Sequence, residues 1–357
     1  MNTSKPEFSF LDLIDKCDNF RLPANYGSDA PNPTLVPWTL SSSSSSPVIG
    51  LLWVEIVDLL ATENEASIRA EKPEVWVIHR QDSDTGSRPN RVSFHDTINT
   101  PTKRTAIMKE LCERWRDTGL FPDIIGPKKW RDEKYPVYRN PLGVHRPCDL
   151  FAGNELEDGS NYAFDLERSA CALFGVVTYG VHMTIYEDNE DGVRIWVPTR
   201  ALTKQTWPGY LDNSVAGGIP SGMAPFESII KEAMEEASIE QHIVENYAKS
   251  IGSISYFYRN KSGWLQPEVE YLYDLKIPPG VDQTPFQPKP LDGEVESFDL
   301  LPLDTVITKM RGGLFKANCA LALVDFLIRH GYITPDNEPD FMQIITRLHG
   351  SFQYDQW

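Results

Sequence analysis

The sequence predicts an α/β fold, namely an α/β/α sandwich with a mixed sheet that is preceded by a smaller α+β N-terminal domain. The chain has 357 residues, 41% of them hydrophobic, and this length exceeds that of a usual single domain and favours two. In the second half, apolar runs of strand length alternate with helical patterns, which is typical of helices packed on a sheet. We place the boundary near Ala170, between domains 1–170 and 171–357.

The N-terminal half combines helical segments with long polar stretches. The spacing of apolar residues predicts helices within 8–20 and 105–118, whereas the apolar run 48–60 fits a strand or a helix. The serine tract 41–46 predicts a surface loop, because serine side chains do not form a core. The polar segment 81–103 contains one glycine and two prolines and predicts a long loop.

Three features precede the predicted boundary. Segment 130–145 is rich in proline, tyrosine and arginine, and segment 154–161 is a run of acidic residues and glycine. A helix that holds Glu167 and Ala170 is expected to follow. The boundary at this helix separates irregular, polar sequence from the regular alternation that comes after it.

The C-terminal half supplies the predicted sandwich. Loop 278–292 holds five prolines and predicts a rigid surface connection. Two closing helices are predicted over 315–329 and 341–348. The predicted strands share short apolar or alternating patterns and cover 172–185, 192–198, 250–258, 269–277 and 294–301.

Segment 217–239, "GGIPSGMAPFESIIKEAMEEASI", carries the strongest chemical signal in the chain. It predicts an amphipathic helix that begins near Pro225 and buries a stripe formed by Phe226, Ile229, Ile230, Ala233 and Ala237. Side chains three or four positions apart are neighbours on a helix, so the segment places three carboxylates side by side: Glu232, Glu235 and Glu236.

These carboxylates and the preceding glycines predict a divalent-metal site that faces a phosphate. Oxygen ligands suit Mg²⁺ or Mn²⁺, and a cation would relieve the repulsion between the glutamates. Gly217, Gly218 and Gly222 allow the backbone to approach a ligand closely, as phosphate-binding loops do. The alternative is a solvated acidic helix face without chemistry.

The segment resembles the box of the Nudix hydrolases, which reads glycine, five residues, glutamate, seven residues, then Arg-Glu-aliphatic-any-Glu-Glu-any-Gly-aliphatic. Without gaps, five positions match this pattern: Gly217, Glu232, Glu235, Glu236 and Ile239. Four positions depart from it or match it weakly: Met223, Lys231, Ala233 and Ser238. The departures fall on positions that brace the loop and the helix in the family, and the three glutamates are kept.

Flanking segments 174–186, 195–218 and 292–303 resemble the thiamine pyrophosphokinase-related Nudix proteins, which carry an extra N-terminal domain. This resemblance implies cleavage of a diphosphate, with thiamine diphosphate or its oxidised analogues converted to the monophosphate plus phosphate. It further implies catalytic and metal-binding roles for Glu232, Glu235 and Glu236, with Glu232 as the base.

The same resemblance suggests further residues of the site. Arg200 and Lys204 lie where related proteins place basic residues near the diphosphate, and a solvated-loop role is the alternative. Gly217 and Gly218 would contact the substrate through their backbone. Additional metal-binding carboxylates are expected at Glu294 and Glu296, where the alternative is a charge at a strand edge.

Charge and cysteine content limit the partners. A formal net charge of −17 argues against binding to nucleic acid or to an anionic membrane, so a small-molecule diphosphate is the expected partner. The start of the chain lacks the plan of a signal peptide, and we expect a cytoplasmic protein. Oligomeric state is not predicted. Five scattered cysteines indicate reduced thiols: Cys17, Cys112, Cys148, Cys171 and Cys319.

Two other classes of function stay open. A catalytically silent Nudix-fold binding protein is suggested by Met223, Lys231 and Ser238. An enzyme similar to isopentenyl-diphosphate isomerase shares basic residues and a tryptophan ahead of the box. Such an isomerase needs a cysteine and a glutamate for proton transfer, and Cys171 precedes the first strand of the predicted domain without a clear partner motif.

Overall fold

The computed structural model describes residues 7–22, 35–83, 86–145, 161–352 and 354. In the N-terminal half, a four-stranded sheet has the order β2-β1-β4-β3. Its strands are β1 (Leu35–Thr39), β2 (Val48–Trp53), β3 (Trp76–Ser83) and β4 (Gly86–Phe94). Helices α2 (Val54–Arg69) and α3 (Pro101–Asp117) share an apolar cluster with this sheet. A separate antiparallel pair, the β5–β6 hairpin, is formed by β5 (Lys134–Tyr138) and β6 (Tyr162–Glu167).

The C-terminal half contains a mixed sheet with the order β10-β11-β7-β8-β12, and β9 pairs with β7. Only the pairing of β11 with β7 is parallel among these described strands. The strands are β7 (Thr178–Asn189), β8 (Gly192–Arg200), β9 (Val215–Gly218), β10 (Ala248–Arg259), β11 (Leu265–Lys276) and β12 (Val295–Pro302).

Helices cover both faces of this mixed sheet. The buried residues of α5 (Pro225–Ala237) and α6 (Gln241–Tyr247) share one apolar cluster with Val181 and Val269 of the sheet. On the other face, α7 (Leu303–Arg311), α8 (Ala317–Arg329) and α9 (Phe341–Leu348) pack with Ile195 and Leu272. The predicted α/β/α sandwich with a mixed sheet is confirmed.

Helix α1 (Phe10–Cys17) lies with the C-terminal helices although it begins the described chain. Its buried side chains Leu13, Ile14 and Cys17 belong to the same apolar cluster as α8 and α9. A separate cluster unites the four-stranded sheet with α2, α3 and the short helix α4 (Cys171–Phe174). The division of the chain near residue 170 stays a prediction.

Two predicted elements are wrong. Segment 81–103 is not a loop, because it supplies the end of β3, all of β4 and the start of α3. Pro89 is accommodated at an irregularity of the β3–β4 pairing, and Pro101 occupies the first position of α3 behind the capping residue Thr100. Glu167 ends strand β6 rather than lying in a helix, and a 3₁₀ turn, Arg168–Ala170, and then the short helix α4 follow it.

Other expectations are resolved directly. The ambiguous run 48–60 is both a strand and a helix, since β2 passes into α2 at Val54. The acidic run 154–161 lies, apart from its last residue, outside the described ranges. Across the described part of the chain, no helix has the length and apolar character needed to cross a membrane.

Candidate functional site

Helix α5 carries the three glutamates of the predicted metal site. Pro225 begins the helix, and the Ala224 amide donates a hydrogen bond to the Glu227 carboxylate at 2.9 Å. Ile229, Ala233 and Ala237 are buried as predicted, but Phe226 is 37% exposed and Glu236 is part of the buried face. The helix therefore turns one of its glutamates toward the sheet.

Burial separates the three glutamates that the sequence places side by side. The Glu236 residue is 9% exposed, and the Glu232 side chain is 15% exposed. The Glu235 side chain is 51% exposed and binds Lys231 at 2.8 Å, while Lys231 also lies 3.3 Å from Glu232. Glu232 and Glu236 thus face the interior, and Glu235 lies at the surface.

The buried surroundings of Glu236 disfavour a negative charge on its side chain. Its carboxylate accepts a hydrogen bond from the Ala216 amide at 3.3 Å, and no Lys or Arg of the described chain lies within salt-bridge distance. Burial, together with the charges of Asp212 and Glu232, raises the pKa of Glu236 to about 8. Burial also raises the pKa of Glu232. A cation beside these groups would favour their ionised forms.

The glycines before α5 create space for two neighbouring side chains. Gly217 and Gly218 lie in strand β9, and only Gly222 takes a left-handed conformation, with φ +88°. A side chain at Gly217 would overlap the Glu232 carboxyl group, and one at Gly218 would overlap the Tyr135 hydroxyl group. These two glycines therefore permit close packing rather than a tight turn.

The structure places the Arg200 guanidinium in a buried contact within the protein. It binds Asp212 at 2.5 Å and donates to the carbonyl oxygens of Trp207 and Thr206 at 3.2 and 3.1 Å. Burial opposes ionisation of Asp212, but the charges of Lys316 and Arg200 lower its pKa to about 2. The substrate-binding role of Arg200 stays a prediction, and a phosphate would have to compete with all these partners.

Lys204 and Glu294 form an ion pair across the loop that follows β8. Burial works against ionisation of Glu294, but the hydrogen bond and charge of Lys204 lower its pKa. Glu296 lies in β12 and is exposed. The structure therefore pairs Lys204 with Glu294. The metal-binding roles of Glu294 and Glu296 stay predictions.

A buried polar network lies behind the strands of the site. Tyr256 donates to Glu270 at 2.7 Å and also contacts Glu268, while Thr178 donates to Glu268 at 3.2 Å. Burial disfavours protonation of His182, but Glu270, 3.6 Å away, raises its pKa. His182 and Tyr256 are thus buried members of this polar network.

The sequence did not predict that the guanidinium group of Arg168 lies beside Gly218. Arg168, which follows the β5–β6 hairpin, places Nη2 3.5 Å from the position of a side chain at Gly218. Its Nη1 atom binds Glu133 at 2.7 Å. No spacing in the sequence connects these residues with the glutamate helix, because Arg168 precedes Gly218 by fifty positions. The buried pair Glu268 and Glu270 was missed too, although alternate glutamates in an otherwise apolar strand are a detectable signal.

Comparison with known proteins identifies the segment that carries this geometry. Residues 178–320 match the family model of the NUDIX domain. The chain contains a Nudix domain. An uncharacterized protein of Saccharomyces cerevisiae, YJR142W, is 41% identical over 242 residues, which are 64% of each chain. The chloroplastic Nudix hydrolase 20 of Arabidopsis thaliana is 35% identical over 271 residues, covering 74% of this chain and 64% of that protein.

The chain thus spans about 64% of the length of both curated relatives. Among solved structures, the Ap4A hydrolase of C. elegans is 18% identical and aligns with a TM-score of 0.29. That alignment covers 42% of this chain and 96% of the hydrolase.

The Nudix domain holds unusual residues at box positions that support the helix. Ser238 ends α5 with φ +55°, a left-handed conformation that glycine adopts without steric cost, and its hydroxyl group donates to the Lys289 carbonyl at 2.9 Å. Lys231 bridges Glu232 and Glu235. Met223 lies half-buried in the turn before α5. These substitutions leave the helix intact from Pro225 to Ala237.

The carboxylates of the Nudix domain fit a divalent cation that is shared with a substrate. Within the ranges described, no three His, Cys, Asp or Glu side chains converge to form a complete metal cage. Mg²⁺ commonly takes one or two carboxylates and completes its shell with water and substrate phosphates. Glu232 and Glu236 supply such a pair, and a cation would offset the charge that burial disfavours at Glu236.

Proposed function

We propose that this chain is a metal-dependent Nudix hydrolase that cleaves a diphosphate bond in a small molecule. The observation that carries the proposal is the placement of Glu232 and Glu236 beside strand β9, where no lysine or arginine of the described chain lies within salt-bridge distance of Glu236. The match of residues 178–320 to the Nudix domain and the resemblance to a named Nudix hydrolase support it.

Each residue of the pair has a distinct task in this proposal. Glu232 and Glu236 would hold Mg²⁺ or Mn²⁺, and the cation would neutralise charge on phosphate oxygens and make a bound water more acidic. Glu232 accepts the proton of the attacking water, and burial raises the pKa of this carboxyl group above its usual value. Gly217 makes room for the Glu232 carboxyl group and Gly218 for the Tyr135 hydroxyl group. A contact between the backbone of these glycines and the diphosphate is part of the proposal.

We further propose thiamine diphosphate or its oxidised analogues as the substrate. Water oxygen bonds to the terminal phosphorus, the bond from that phosphorus to the bridging oxygen breaks, and the products are the monophosphate and phosphate. The support is the resemblance of segments 174–186, 195–218 and 292–303 to thiamine pyrophosphokinase-related Nudix proteins. The cytoplasmic location belongs to the same proposal, and one relative is named as a chloroplastic protein.

Phosphate release from a panel of diphosphates tests the proposal. The panel contains thiamine diphosphate, its oxidised analogues, ADP-ribose and nucleoside diphosphates, each with Mg²⁺, with Mn²⁺ and with a chelator. Glu236→Gln is expected to lower metal-dependent release at least 100-fold, because it removes the buried carboxylate. The matched control is Glu245→Gln, an exposed glutamate of the neighbouring helix α6, which is expected to retain wild-type activity.

The outcomes separate the alternatives. Release from another diphosphate alone would support the site and reject the thiamine assignment. Conversion of isopentenyl diphosphate without phosphate release would identify an isomerase. Metal-dependent thermal stabilisation by diphosphates without any turnover would identify a binding protein.

A further inference from the structure

The N-terminal hairpin β5–β6 is in direct contact with the glycine segment of the Nudix domain. The Ser221 amide donates to the Lys134 carbonyl at 2.8 Å, and the Ser221 hydroxyl group contacts Asp165. The Tyr135 hydroxyl group fills the space over Gly218. The hairpin therefore forms a wall beside the strand that leads into the glutamate helix.

Arg168 extends from the end of this wall toward Gly218. Its guanidinium lies 5.1 Å from the centre of the Tyr135 ring, and Nη1 binds Glu133 at 2.7 Å. The backbone is fixed as well, because the Arg168 amide donates to the Glu133 carbonyl at 2.8 Å. The side chain is 39% exposed, so the group is held in place and remains accessible.

The guanidinium has hydrogen-bonding capacity left over on the side of the glycines. Nη2 faces Gly218, whereas the contact with Glu133 is made through Nη1. A guanidinium presents five N–H donors in a rigid plane that matches phosphate oxygens. Arg168 therefore combines an anchored half with a half that is available to a ligand.

The other cations near the glutamates are engaged by carboxylates. Lys231 bridges Glu232 and Glu235, Lys204 binds Glu294, and Arg200 is buried against Asp212. The charge of Arg168 also acts on the carboxylates of Glu232 and Glu294, which places it within electrostatic range of both acids. A diphosphate beside Gly218 would meet this arginine from the side opposite to the helix.

We propose that Arg168 is a substrate-binding residue that holds a phosphate group of the diphosphate beside Gly218 and the Tyr135 hydroxyl group, and that the N-terminal hairpin is part of the active site. The proposal rests on the proposed hydrolase function and adds a residue that lies outside the 178–320 segment. Glu133 is a positioning residue, because it orients the guanidinium through Nη1. The Tyr135 hydroxyl group lies on the same side of Gly218 as Nη2 and would adjoin the phosphate.

The test compares Arg168→Gln and Arg168→Lys with a matched control, Arg114→Gln. Arg114 also lies in the N-terminal half and also binds a glutamate, Glu63, at 2.7 Å, but it belongs to α3 rather than to the hairpin. Steady-state rates with the best diphosphate of the panel give KM and kcat. Arg168→Gln is expected to raise KM at least 10-fold, Arg168→Lys is expected to raise it less, and Arg114→Gln is expected to leave it unchanged.

A binding measurement keeps this proposal separable from the proposed function. Inorganic pyrophosphate with Mg²⁺ serves as the probe in calorimetry, and Arg168→Gln is expected to weaken its binding at least 10-fold relative to Arg114→Gln. If the wild-type chain cleaves no diphosphate, the hydrolase proposal fails while this binding comparison still decides the role of Arg168. Equal KM and equal pyrophosphate affinity in the two glutamine variants would overturn the inference.

Glu133, which binds the Arg168 guanidinium, provides a second variant that tests the proposal if Arg168→Gln fails to fold. Glu133→Gln keeps the arginine but removes the charge that orients it, and it is expected to raise KM by a smaller factor than Arg168→Gln. If Arg168→Gln does not fold, an unchanged KM in both Glu133→Gln and Arg168→Lys would reject the proposal.

Discussion

The carboxyl group of Glu232 lies in the space that a side chain at Gly217 would occupy. Helix α5 and strand β9 are therefore fitted to each other at this pair. Gly217→Ala is expected to displace Glu232 and to lower hydrolysis at least 10-fold, with a stability loss of about 1–3 kcal/mol from the overlap. Rates of phosphate release and denaturant unfolding of the variant measure both effects.

Gly350→Ala is the control for the Gly217 substitution. A side chain at Gly350 would make only ordinary contacts, at 3.7 Å or more, so stability and activity are expected to stay close to wild type. Wild-type activity in Gly217→Ala would show that the Glu232 position does not matter for turnover.

Arg200 is expected to act on stability more than on substrate affinity. Arg200→Gln would leave the buried Asp212 carboxylate without its partner at 2.5 Å, and breaking a buried ion pair commonly costs about 3–5 kcal/mol. Lys204→Gln, which removes a more accessible pair with Glu294, is expected to cost less than about 1 kcal/mol. Urea unfolding measures the free energy of unfolding of both variants and so compares their losses of stability. A raised KM in a fully stable Arg200→Gln protein would instead support a phosphate contact.

Substitutions of Ser238 test how much a side chain in the left-handed conformation at the end of α5 lowers the stability of the protein. Both Ser238→Gly and Ser238→Ala remove the hydroxyl bond to Lys289, but only glycine accepts φ +55° without steric cost. The glycine variant is expected to be more stable than the alanine variant by about 1–2 kcal/mol. Thermal and denaturant unfolding measure this difference. Equal stability would mean that the helix end relaxes when serine is replaced.

His145 is expected to make folding stability depend on pH. Its ring stacks on Tyr138 at 4.0 Å, Nδ1 contacts the Tyr271 hydroxyl at 2.9 Å, and burial lowers its pKa from 6.5 to about 4. Between these values the unfolded chain takes up a proton and the folded chain does not, so stability falls as the pH drops. The loss attributable to His145 is at most about 3 kcal/mol.

His145→Phe isolates this contribution. The variant loses the bond to Tyr271 at every pH, so the informative quantity is the slope of unfolding free energy between pH 7 and pH 4.5. That slope is expected to be shallower in the variant than in the wild-type chain. Parallel slopes would show that His145 titrates alike in the folded and unfolded states.

Local patterns in the chain were sufficient for much of this description. Apolar spacing predicted α5 and α8, and alternating or continuous apolar runs predicted the strands of the mixed sheet except β9. The glycines, the glutamates and their spacing indicated a Nudix domain, which the family model matches. Such features depend on residues within a few positions of one another, and periodicity and turn chemistry report these directly.

Local patterns failed where a polar segment formed structure through long-range pairing. Segment 81–103 looked like a loop because strand β4 is polar, and its pairing with β1 and β3 is what makes it a strand. Helix α1 was predicted, but its packing against α8 and α9 joins residues more than 300 positions apart. Hydrophobic spacing identifies an apolar helix face without naming the surface that covers it.

In the candidate site too, some features follow from local sequence and others from tertiary packing. The sequence determines that Glu232, Glu235 and Glu236 share a helix, that Gly217 and Gly218 precede it, and that basic residues lie nearby. Folding decides that Glu236 is buried, that Glu235 is paired with Lys231, and that Arg200 is enclosed while Arg168 faces Gly218. The reason is physical: burial and charge pairing depend on which distant segments meet in space, and helical spacing carries no information about those partners.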